Sequence, residues 1–403
     1  MLVSRRNFFL GSLASPLLAA QKKLAAKKTK LVRFRPNLLL ILVDGLPAWM
    51  VGCYGNQEVR TPNIDRLSQT GTRFLNAFVP APAPIPGRNA YFTGRVARDP
   101  AAPPAANALD QTLPEGGYAC QTVGGRTLAD STTAATQFLD RQTAGKPFSL
   151  TVLYTGMEPP YDAVPPEFAG TYEGQRFENW AADPPARNAA RGKEMFAARM
   201  ANLRKAAGAA TAYDAETGKL MRALYDRHFF NDTLIVFAST CGSLLGRHGL
   251  WGAGDASDPP NMFEEVVNVP LIWSYPARVP PSIMQVGLVS AYDLLPTLAD
   301  FLGVAPPAGN LCGRSYSPLA TGKPFPKKQP WRTAVFGRYR NTEMARVDRY
   351  KLVIRDEGKG PGELYDMRME RSEAANLYGD AQFEDVKTSL TGQLATWRKT
   401  LAG

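Results

Sequence analysis

The chain has 403 residues, 44% hydrophobic and 21% charged, with a formal net charge of +11. That composition excludes a disordered or fibrous chain, and the length suffices for one large core plus a smaller unit. The charge does not make a nucleic-acid binder. Nine basic residues and no acid lie in the first 35 positions, and the rest carries about +2.

Ser4-Arg5-Arg6-Asn7-Phe8-Phe9-Leu10 resembles a twin-arginine export motif. The apolar run that follows, residues 8–20, is too short to span a bilayer comfortably. The expectation is export to the periplasm or another extracytoplasmic space. Cleavage near Ala19-Ala20 and retention as an N-terminal anchor both remain open. No transmembrane segment is expected beyond this signal.

Asn37–Val43 is a nearly continuous apolar run, as in a strand buried on both faces of a parallel sheet. Asp44 then falls at the carboxyl end of that strand, where open α/β sheets place functional groups. Residues 62–70 read as a helix opened by Pro62. Residues 80–87 read as a Pro/Ala loop, with a helix resuming over 89–93, and 99–108 as a surface connection. Core strands are expected at 148–154, 233–238 and 269–274. Long helical patterns fill 190–228 and 293–303. After a Lys/Pro linker over 321–331, residues 333–354 read as short strands, and 381–401 as a closing helix. This order predicts an α/β fold with a large, mostly parallel sheet and a small C-terminal antiparallel subdomain. The expected divisions are 1–35 (signal and basic junction), 36–325 (α/β domain) and 326–403 (C-terminal subdomain).

The four cysteines, Cys53, Cys120, Cys241 and Cys312, form no CxxC pair, so no zinc or redox motif is signalled. Disulfides and buried free thiols are both compatible with their spacing. Only two histidines are present, His228 and His248.

Several ordered motifs carry a family resemblance. The opening, Gly52-Cys53-Tyr54-Gly55 and Thr61-Pro62-Asn63-Ile64-Asp65-Arg66-Leu67, resembles that of bacterial sulfatases. Thr93-Gly94-Arg95, Arg247-His248-Gly249-Leu250-Trp251-Gly252, Gly313-Arg314-Ser315 and Glu363-Leu364-Tyr365-Asp366 continue the similarity. The resemblance covers residues 36–400 and implies the alkaline-phosphatase-like fold. It also implies a formylglycine nucleophile made from Cys or Ser, a calcium or magnesium ion held by carboxylates, and Lys and His for charge and proton handling.

The positions that match those parts are nearly all replaced. The Cys/Ser-x-Pro-Ser-Arg motif aligns with Pro84-Ile85-Pro86-Gly87-Arg88, so Pro84 stands at the nucleophile position and no catalytic residue is assigned. The family's paired Asp becomes Asp44-Gly45, and a later Asp-Asn or Asp-His pair becomes Thr240-Cys241. Asp44 is the only retained metal-ligand position, too few for a hard cation; a turn or cap is its simpler role. Arg88 is expected to bind an anion or pair with a carboxylate. Glu158 stands near an expected His, and His248 reads as a loop hydrogen-bonding residue. The resulting vestigial pocket comprises Asp44, Arg88, Glu158, Thr240, Cys241 and His248.

Two functions follow. The first is a sulfatase-like pseudoenzyme that binds an anionic or sulfated glycan, or a partner protein, with the residues leaving that choice open. The second is an active sulfuric ester hydrolase with a non-standard site, for which Cys241 is the obvious thiol. No nucleic-acid partner is expected.

Overall fold

The structure, a computed structural model, describes residues 35–96, 108–178, 180, 183–307 and 309–401. The expected signal segment and most of the 99–108 connection lie outside these residues.

The main sheet grows outward from β1 (Asn37–Val43), every residue of which is buried. It pairs in parallel with β5 (Phe148–Tyr154) on one side and β6 (Thr233–Ser239) on the other. β4 (Ala119–Gly124) extends the β5 edge in parallel, and β7 (Leu271–Ser274) runs antiparallel to β6. β2 (Thr72–Phe74) and β8 (Ile283–Gln285) complete the order β4-β5-β1-β6-β7-β2-β8. A separate short pair joins β3 (Ala77–Phe78) to β9 (Val289–Ser290).

Side chains alternate across a strand, so β1 feeds two cores at once. Leu39, Ile41 and Val43 pack with Ile64 of α1 (Pro62–Gln69) and with Leu203, Ala210 and Tyr213. Leu38, Leu40 and Leu42 pack with Tyr91, Phe92, Leu294 and Leu298 on the other face.

The helix expected to resume at 89 instead begins at Pro84 and runs to Thr93 (α2). Pro84 and Pro86 sit in its first turn, where the missing N–H groups would have no intrahelical partner anyway. Several elements were not expected from the sequence, the short strands β2, β3, β8 and β9 among them. β4 is a partly exposed edge strand without an apolar run. α3 (Leu128–Asp140) opens with a capping box between Thr127 and Asp130. α4 is confined to Arg199–Asp226, because a short 3₁₀ turn takes Lys193–Phe196. α5 occupies Leu294–Leu302.

The C-terminal sheet is antiparallel, in the order β10 (Ala334–Tyr339), β11 (Thr342–Val347), β12 (Tyr350–Arg355), β13 (Glu363–Asp366). α6 (Glu384–Thr400) covers it with Leu390, Leu394 and Trp397, spaced on one helical face. Val335, Met344 and Val353 of this sheet also join Phe78, Leu244 and Val266 in a shared core. Residues 36–403 accordingly cluster as one unit. Among the described residues, no helix is long and apolar enough to cross a membrane.

Candidate functional site

Asp44 follows β1 and is buried, 3% exposed. Its backbone is pinned on both sides. The Asp44 N–H donates to Tyr154 O at 2.9 Å, and its carbonyl accepts from the Tyr213 hydroxyl of α4 at 3.0 Å. The same Tyr213 oxygen accepts the Met157 N–H at 3.1 Å, tying the ends of β1 and β5 together. Both carboxylate oxygens are engaged. Arg88 of α2 reaches Oδ2 at 2.8 Å, and Thr240, just past β6, donates its hydroxyl to Oδ1 at 2.5 Å. Burial pushes the Asp44 carboxyl up from its ordinary value, against the pull of Arg88 and Thr240.

Above this bonded floor lies a recess of about 260 Å³. Pro84, Gly45, Glu158, Cys241, Ser243 and Ala253 all line it, so segments far apart in sequence converge there. The lining also includes Arg191, Glu194 and Asp255, which the sequence reading missed. Arg191 pairs with Asp255 at 2.7 Å. Three carboxylates and one guanidinium give the wall an acidic balance. Glu158 is pushed up by burial and by the nearby Asp44 and Asp255 charges, with Arg191 and Arg88 opposing. Burial and Asp44 push the Cys241 thiol well up. A thiol so placed is a poor source of thiolate. All four cysteines are free.

The structure separates His248 from this group. Residues 247–249 form a tight 3₁₀ turn with His248 at φ +56°, and the ring stacks on Phe263 at 3.7 Å. Its Nε2 lies 3.1 Å from Glu265, and its backbone N–H donates to Asp183 at 2.7 Å. Its hydrogen bonds stay within the surrounding loops, and it does not line the recess in which the sequence grouped it.

The donor set does not fit calcium or magnesium. Those ions require several oxygen ligands, commonly with more than one carboxylate. Here the one carboxylate at the strand end is already satisfied by Arg88 and Thr240, and Gly45, Thr240 and Cys241 stand beside it. Among the described residues, one cluster of three ligand-type side chains is close enough to share an ion: His248, Glu265 and Glu373. It lies off the recess, and the Lys351 ammonium already pairs with Glu373 there.

A mostly parallel sheet with its pocket at the carboxyl ends of β1, β5 and β6 defines an open α/β scaffold with its site in the strand-end crevice. Comparison with known proteins makes the family specific. The sulfatase family model matches residues 36–129 and 111–304, and a model described as N-sulphoglucosamine sulphohydrolase, C-terminal, matches 252–400. The chain belongs to the sulfatase family. An N-acetylglucosamine-6-O-sulfatase of Bacteroides thetaiotaomicron is 22% identical, covering 96% of this chain and 90% of its own. A delta 4,5-hexuronate-2-O-sulfatase of the same organism is 23% identical, covering 87% and 86%. One solved structure, in complex with its substrate D-glucosamine-2-N,6-O-disulfate, superposes with a TM-score of 0.78 at 19% identity, over 91% of this chain and 98% of its own. The phosphonate monoester hydrolase of Agrobacterium radiobacter superposes at 0.71 and 19% identity, over 91% and 96%. These superpositions establish the alkaline-phosphatase-like fold.

Proposed function

We propose that this chain is an exported, non-hydrolytic member of the sulfatase family that binds a sulfated saccharide without cleaving it. The observation carrying this reading is the Asp44 floor. The one carboxylate retained at the metal position is spent on Arg88 and Thr240. The adjoining nucleophile position is Pro84, which has no group to oxidise or to attack with. Fold alone does not carry activity, and here the site argues against it. The high Cys241 pKa weighs against a cysteine hydrolase in the same recess. The ligand class follows the relatives, named as sulfatases of N-acetylglucosamine and hexuronate units.

The test is an assay of the purified protein against aryl sulfate and phosphate esters, with bound divalent metal measured in parallel. Turnover at the buffer background and less than stoichiometric calcium or magnesium are expected. Turnover above background that disappears in Cys241→Ala would sink the reading. Export rests on the Arg5-Arg6 signal, and fractionation of an expressing cell should find the protein outside the cytoplasm. Retention in the cytoplasm overturns that part alone.

A further inference from the structure

A second groove, of about 330 Å³, runs where the C-terminal sheet meets the main core. Its charged lining is Arg247, Arg346, Arg368 and Arg371 against Glu264, Glu265 and Asp348. Four cations face three anions here, whereas one cation faces three anions in the recess. A sulfate ester keeps its negative charge at every physiological pH. Electrostatics therefore favours the groove over the recess.

We infer that the sulfated saccharide is held in this groove and not in the ancestral recess, an inference that rests on the binding reading above. The arginines differ in how much of their capacity is spent. Arg346 is committed, to Glu264 at 3.0 Å and to the Val347 and Asp348 carbonyls. Arg368 pairs with Asp348 in an exposed contact, which is weakly held. Arg371 is exposed, and no described residue pairs with it. Arg247 makes one long contact with Glu265, 3.4 Å, and its Nε has no hydrogen-bond partner. Its guanidinium lies over the Trp49 ring at 4.2 Å, which holds the group in place before any ligand arrives. Guanidinium groups suit tetrahedral oxyanions because their fork donates two parallel hydrogen bonds.

The rest of the lining suits a sugar. Asn76 and Asn268 each donate one amide N–H, to the Val286 and Leu75 carbonyls, which orients each amide and leaves its Oδ1 as an acceptor for hydroxyls. The volume lies near the lower end of small-molecule sites, about 300–1,000 Å³, which fits a short saccharide.

The experiment is calorimetric titration of the full chain with a heparin-derived tetrasaccharide and its desulfated counterpart, at low salt. The sulfated form should bind and the desulfated form should not. Arg371→Ala should weaken binding about tenfold and Arg371→Glu further. Both variants should melt with the parent, since the side chain is exposed. Arg191→Ala, in the recess, should stay within about twofold. Loss of binding in Arg191→Ala with Arg371→Glu unaffected places the ligand in the recess and overturns the inference. Equal binding of the desulfated sugar, or displacement by single-stranded DNA at matched charge concentration, overturns it as non-specific. So does the absence of any binding. None of these outcomes bears on hydrolysis, which the ester assay decides separately.

Discussion

At the scale of single residues, the site at the end of β1 is held in its present form by backbone contacts as well as by side-chain chemistry. Gly45 has φ +79°, and a Cβ there would sit 2.4 Å from the Met157 carbonyl oxygen. An Asp at this position would therefore collide with main chain. Asp44 is left dependent on Arg88, a mostly buried partner. Removing one member of such a pair strands a buried charge, typically at a cost of about 3–5 kcal/mol. Arg88→Ala should destabilise the protein by an amount near the lower figure, because Asp44 can escape by taking up a proton. The sign with pH follows. Loss of Arg88 raises the Asp44 pKa in the folded state further above its unfolded value. The folded state then binds more protons, and its stability falls as pH rises. Urea unfolding should show a larger deficit for Arg88→Ala at pH 8 than at pH 5. A deficit that shrinks toward alkaline pH would show that Asp44 is not the group involved.

At the scale of elements, the packing of α2 bears on the proposed absence of hydrolysis, and a change at Pro84 tests it. Pro84→Cys creates a thiol two residues before Pro86 and four before Arg88, the spacing of the family motif. On the proposed reading it should still show no aryl sulfatase turnover, because Asp44 remains occupied by Arg88 and Thr240 and the residue after it is Gly45. Adding the helper hydroxyl is obstructed as well. A Cβ on Gly87 would lie 1.8 Å from the Thr240 carbonyl oxygen, so Gly87→Ser must push α2 off β6. Overpacking of that kind costs about 1–3 kcal/mol, and thermal melting of Gly87→Ser should register it. Activity in Pro84→Cys alone would refute the account of the floor. The sequence makes Pro84 and Arg88 visible because both stand in one short motif. It hides the start of the helix, because prolines that mark loops elsewhere are also tolerated in a first helical turn. β4 is hidden for a different reason: an edge strand needs no continuous apolar run, and its six residues are mostly polar or half-exposed. Arg191, Glu194 and Asp255 carry no local signal. They meet Glu158 only through tertiary packing of loops distant in the chain. His248 has the opposite problem: its motif is plain, but the tight turn at 247–249 takes its ring to Glu265.

At the scale of the whole molecule, the question is what keeps the C-terminal sheet on the main core, since the proposed groove exists only while they stay joined. Apolar contact through Val335, Met344 and Val353 supplies part of the answer. A buried ionic cluster supplies another part. Lys351 of β12 is fully buried and pairs with Glu373 and, at 3.4 Å, with Glu264 of the main core. Glu373 in turn accepts the Glu264 N–H at 2.6 Å, and Arg346 of β11 reaches Glu264 at 3.0 Å. Burial pushes the Glu373 carboxyl up, with Lys351 pulling against it. A buried pair of this kind contributes little net stability over an apolar replacement, but breaking it from one side is costly. Lys351→Met should therefore lower stability by about 3–5 kcal/mol. Lys351→Met/Glu373→Gln should recover most of that loss, since Gln still accepts the Glu264 N–H without a buried charge. Calorimetry should show one transition in every case, because sheet and core share side chains in a single cluster. A cost below about 1 kcal/mol for Lys351→Met would show that the cluster is incidental to docking. Two separated transitions in the parent protein would show that the C-terminal sheet folds independently, and that apolar contact alone sets the width of the groove.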